Sequence, residues 1–240
     1  MIRPKINIAS GLLAASFMHL VHPNALFCLA GLCEDNPDIC ELVTGCYSDR
    51  EGIDDDACNR EWWAFKPIGP HACPPEGCPL YVWVEGSGRT PYATAFPGQD
   101  SMLAMLKRGF IAVTVYYANS VTGYRAGCEG NQAMWGFIQK TQSIFDADVP
   151  DSVVSQLCDG PNAMANCDLG IATHGYSQGA HIASLAGNYN PRVSASLLLS
   201  NGNHNSATGA LPCLNNENLV LPRERRRAII GEEDDYFGGQ

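Results

Sequence analysis

Apolar positions along this chain fall in short unbroken runs, separated by polar stretches and by segments with helical spacing. Unbroken apolar runs bounded by turn residues predict strands buried on both faces. Leu80-Tyr81-Val82-Trp83-Val84 is the clearest, and residues 110–117, 193–199 and 227–230 repeat the pattern. Glu61 to Lys66, with Trp62, Trp63 and Phe65 and closed by Pro67, predicts a further strand. Met134, Phe137, Ile138 and Ile144 or Phe145 recur at helical spacing over residues 132–145. Residues 101–108 read as a second helix, with Asp100 as its cap and Gly109 as its stop. Strands alternating with crossover helices predict a largely parallel sheet covered on both faces.

One junction in this pattern carries candidate chemistry. The apolar run Leu169-Gly170-Ile171-Ala172-Thr173 leads through His174 into Gly175-Tyr176-Ser177-Gln178-Gly179, and small residues at helical spacing follow: Ala180, Ala183, Ser184 and Gly187. Gly-x-Ser-x-Gly between a strand and a helix predicts a sharp turn that presents a serine hydroxyl at the top of a sheet. The flanking glycines supply the missing bulk and the unusual backbone angles. The helix N-terminus beyond the serine favours a developing negative charge.

Composition changes the picture in three ways. A chain of 240 residues is long enough for one full-sized core. The net charge of −10 argues against nucleic acid or an anionic membrane surface as partner. The N-terminus reads as an export signal: Arg3 and Lys5 precede a mostly apolar stretch over residues 8–21, and cleavage after Ala30 gives a signal peptide of residues 1–30. The competing reading is a buried N-terminal helix. Export predicts an extracellular protein with no membrane attachment once the signal is removed.

Of 11 cysteines, removal of Cys28 with the signal leaves an even ten, scattered without Cys-x-x-Cys pairs. That suits disulfides in an oxidising compartment better than a metal site. Cys73 with Cys78, and Cys158 with Cys167, are close enough to be local staples. Residues 34–59 are acidic, cysteine-rich and turn-rich, and predict a disulfide-tied N-terminal extension over residues 31–60. Asp54-Asp55-Asp56 within it reads as a solvated face, since its spacing does not match a calcium loop. The arginines at 223, 225, 226 and 227 read as a solvated strand entrance or a processing site. The polar stretch over residues 201–218 is a candidate pocket cover.

On the order of elements and the serine motif, residues 61–235 resemble the α/β-hydrolase fold, and Gly175-Tyr176-Ser177-Gln178-Gly179 is similar to the serine motif of cutinases. The resemblance implies an α/β-hydrolase-like domain over residues 61–240 and a serine hydrolase acting on small or polymeric carboxylic esters, without cofactor or metal. It implies Ser177 as nucleophile. Backbone donors for the oxyanion would be Gln178 and Ser87, the latter in the loop Glu85-Gly86-Ser87-Gly88 after the 80–84 strand. Where the family often has His-Gly, this chain has Glu85-Gly86. Asp234, after the last strand, resembles the family's acid, with Glu233 and Asp235 as neighbours that compete for the role.

The family's base follows the acid, and no histidine follows Asp234 here. The sequence therefore reads as truncated after the seventh strand, its catalytic histidine lying beyond Gln240. The alternative is a catalytically inactive secreted binding protein of the same fold. Within the chain, His174 is expected to point away from the serine or into packing, and His181 to face the sheet. His204, after the sixth strand, is the candidate substitute base.

Overall fold

The computed structural model describes residues 32–48, 58–86, 96–117, 132–161, 163–200 and 219–231. Among these residues seven strands form one sheet: β1 (Cys40–Tyr47), β2 (Arg60–Pro67), β3 (Leu80–Val84), β4 (Ile111–Val115), β5 (Ile171–Tyr176), β6 (Val193–Leu199) and β7 (Arg226–Ile229). The strand order is β1-β2-β4-β3-β5-β6-β7. β2 pairs antiparallel with β1 and β4, whereas every other neighbouring pair is parallel. Helices among the described residues include α1 (Phe96–Leu106), α2 (Gln132–Phe145), α3 (Val153–Cys158) and α4 (Gln178–Tyr189). The fold is α/β, with a mostly parallel sheet flanked by helices, and is α/β-hydrolase-like as the order of elements predicts.

The apolar runs of β3 and β4 are continuous because the sheet is covered on both faces there, and successive side chains serve opposite faces. Ala64, Val82, Val84, Val113 and Val115 pack with Phe137 of α2, Val154 and Leu157 of α3, and Ile182 and Leu185 of α4. Trp63, Phe65, Tyr81, Trp83 and Ala112 turn to the other face and pack with Met102 and Leu106 of α1. Fully burying each of these larger apolar side chains contributes about 1.5–3 kcal/mol.

Three local features depart from the sequence reading. Within the cysteine-rich segment, Cys40–Tyr47 is an edge strand paired along its whole length with β2. Its burial does not alternate, being complete only at the two ends, and Gly45 makes room for the Trp62 indole lying against it. α1 begins at Phe96, so Asp100 lies inside the helix and is not its cap. Gly109 is the stop as expected: at φ 78° its N–H reaches the Leu106 carbonyl while the Phe110 N–H reaches that of Met105, a Schellman closure. The loop before the serine strand also contains α3, whose cap Ser152 accepts a hydrogen bond from the Ser155 N–H.

Four disulfides lie among the described residues: Cys33–Cys40, Cys46–Cys58, Cys73–Cys78 and Cys158–Cys167. The last two are the local staples expected from spacing. Arg223, Arg225 and Arg227 are exposed around the start of β7, which fits the solvated strand entrance. No helix among the described residues is long and apolar enough to cross a membrane. The signal segment, Asp54-Asp55-Asp56, Cys128, Cys213 and the 201–218 stretch lie outside the described residues.

Candidate active site

β5 ends at Tyr176, and α4 begins at Gln178. Ser177 is the single residue between them, at φ 52° and ψ −118°. This backbone conformation is one that side chains other than glycine rarely adopt, and it stores about 1–3 kcal/mol of strain. The surroundings hold it there. The Ser177 N–H donates to the Leu199 carbonyl at 2.9 Å, and the Ser177 carbonyl accepts from the Ala180 N–H at 3.0 Å. Ser177 itself is half-buried, and the neighbouring Tyr176 is exposed.

The two motif glycines are required by close approach. A methyl group on Gly175 would stand against the Gly179 carbonyl, and one on Gly179 against the carbonyls of Val84 and Glu85. The elbow is thus pressed onto the end of β3, where the oxyanion loop is expected to begin. Gly86 lies beside it: a methyl there would come 3.3 Å from the Ser177 β-carbon and 3.0 Å from the Tyr176 ring. Gln178 opens α4, and the first N–H groups of a helix have no partner within it. The structure therefore brings together Ser177, the Gln178 backbone and the Glu85–Gly86 segment. Ser87, Asp234, Glu233, Asp235 and His204 lie outside the described residues.

Glu85 is 2% exposed. Its Oε2 accepts from the Trp83 indole N–H at 3.1 Å, and its Oε1 from the Gly86 N–H at 3.1 Å. Its carbonyl accepts from the Tyr117 hydroxyl. The sequence signals the charge at this position but none of this wiring, because Tyr117 arrives from beyond the neighbouring strand.

His174 points into packing, as expected. Its ring meets the Trp83 ring edge-on at 4.4 Å, and its Nδ1 lies 2.6 Å from the Tyr81 hydroxyl. Burial raises the Tyr81 phenol above its ordinary range, so the hydroxyl keeps its proton and the pair shares a neutral hydrogen bond. Burial also lowers the His174 pKa to about 4. Its Nε2 is buried without a hydrogen-bond partner among the described residues. His181 packs its ring on Phe137 of α2, with centroids 5.0 Å apart. It faces a neighbouring helix, where the sequence reading has it facing the sheet. Among the described residues no cluster of three His, Cys, Asp or Glu side chains could hold a metal ion.

No protein-family model and no curated protein matches this sequence. Solved structures with a similar chain course include an esterase of Pyrococcus furiosus, 14% identical, covering 70% of this chain and 53% of that one, with a TM-score of 0.41. A Pyrobaculum calidifontis esterase is 13% identical over 80% of this chain and 57% of its own, with a TM-score of 0.48. An alpha/beta hydrolase enzyme from a Medee basin deep-sea metagenome library is 13% identical over 80% and 68%, with a TM-score of 0.46. The chain thus spans little more than half of the two esterases.

Proposed function

We propose that this chain is a secreted serine hydrolase acting on carboxylic esters through an acyl-enzyme on Ser177. The observation that carries the reading is the strained Ser177 backbone at φ 52°, wedged between β5 and α4 by two glycines that tolerate no side chain. Strain of this kind persists only where the surrounding structure enforces it, and it clusters at reactive groups.

In this reading the Ser177 hydroxyl oxygen bonds to the ester carbonyl carbon while its proton passes to a base. The oxyanion that forms is held by the backbone N–H groups of Gln178 and Ser87. The carbon–oxygen bond to the alcohol then breaks, and the alcohol leaves with the proton. Water attacks the acyl-enzyme by the same route, releasing the acid and restoring Ser177. Asp234 orients the base. His174 and His181 are committed to packing, and the candidate substitute base within this chain is His204, which follows the sixth strand. Export is supported by the disulfides, which persist in oxidising compartments.

A fluorophosphonate probe tests the proposal. Labelling of the wild type that disappears in Ser177→Ala is the expected result. A folded, unlabelled wild type would instead leave the inactive binding protein as the reading. His204→Ala is expected to abolish ester turnover by this chain, and unchanged turnover would remove His204 from the mechanism.

A further inference from the structure

Glu85 is a buried acid that the ester chemistry does not call for. A negative charge next to a developing oxyanion opposes it, so its presence needs another reason. The hydrogen bonds supply one. Both side-chain oxygens accept, from the Trp83 indole and from the Gly86 N–H. The Glu85 carbonyl accepts from Tyr117. The peptide between Glu85 and Gly86 is trans, so its carbonyl and its N–H point opposite ways. Tyr117 therefore holds one edge of this peptide and the Glu85 side chain holds the other. The same peptide touches the elbow on two sides, through Gly179 against the Glu85 carbonyl and Gly86 beside the Ser177 β-carbon.

We propose that Glu85 is a positioning residue: with Tyr117 it locks the Glu85–Gly86 peptide, and so sets where the chain leaving β3 passes Ser177. The inference rests on the hydrolase reading of Ser177. It also assigns the Gly86 N–H to the Glu85 side chain, which removes that amide from the oxyanion donors.

The test compares Glu85→Gln and Tyr117→Phe with the wild type. It measures kcat and KM on p-nitrophenyl butyrate, the rate of Ser177 labelling at saturating fluorophosphonate, and the melting temperature of each protein. A small misplacement of reacting groups can slow chemistry by about 10²-fold, so both variants are expected to lose about 10- to 100-fold in kcat and labelling rate. KM is expected to stay within about twofold, because the lost contacts act on orientation and not on substrate binding. A role confined to stability would lower the melting temperature and leave the kcat of the folded protein unchanged, which would overturn the proposal. A Glu85→Gln enzyme as fast as the wild type, or faster, would also overturn it. If Glu85→Gln does not fold, Tyr117→Phe decides, since it removes one hydroxyl and keeps the ring. A wild type that neither labels nor turns over defeats the hydrolase reading itself, whereas a reactive wild type with equally reactive variants defeats only the role of Glu85.

Discussion

Gly179 lies with its α-carbon so close to Glu85 that a methyl group would overlap the carbonyl oxygens of both Glu85 and Val84. Those atoms belong to the end of a central strand and cannot swing aside like a flexible side chain. Gly179→Ala must therefore push α4 off β3. Overpacking of a fitted site costs about 1–3 kcal/mol, and a backbone-on-backbone clash belongs at the upper end. The expected outcome is a lower urea midpoint together with loss of fluorophosphonate labelling. A variant with wild-type stability and labelling would show that the elbow is not held as described.

The strain at Ser177 makes a prediction of opposite sign. Replacing Ser177 with glycine relieves about 1–3 kcal/mol of backbone strain and adds about 0.5–1 kcal/mol of unfolded-state entropy to be lost on folding. Relief is the larger of the two. Ser177→Gly is expected to be more stable than the wild type by about 1 kcal/mol while losing all reactivity toward the probe. Chemical denaturation of the two proteins checks this, and a destabilised glycine variant would contradict the strain.

Acid should weaken the fold through His174. Its pKa falls from 6.5 to about 4 because burial beside Tyr81 and Trp83 disfavours the imidazolium. Between those values the unfolded chain binds a proton that the folded chain does not, so stability falls as pH falls through this window. A shift of this size corresponds to about 3 kcal/mol between pH 7 and pH 4. His174→Asn lacks the titrating group, so its stability should decline less steeply over the same range. Denaturant titrations at several pH values read the two slopes, and parallel slopes would rule His174 out as the source.

Much of the sheet could be read locally. The strands at 80–84 and 193–199 and the helix over residues 132–145 match the expected bounds. Each is specified by its own period and by strong turn residues on either side. β1 was not legible, because its buried positions do not alternate and its glycine carries a packing role that depends on Trp62. α3 announces itself only through Ser152, a cap signal that a cysteine-bearing loop easily hides. The elbow was legible in full, since five residues between a strand and a helix carry its steric requirement.

What the sequence determined by itself was therefore the alternation of strand and helix, and the place where a serine is lifted between them. The alternation depends on contacts within a few residues, and the five-residue motif marks the turn locally, while the contacts that hold the turn, Gly179 on Val84 and Glu85 and Ser177 on Leu199, are tertiary. Tertiary structure alone decided what Glu85 and His174 are for. Glu85 is held by Trp83 two residues away and by Tyr117 thirty-two residues away. His174 is kept neutral by a tyrosine and a tryptophan on the adjacent strand. The role of a buried polar group follows from which partners the sheet carries to it, and those partners are set by strand order and register, which no local pattern records.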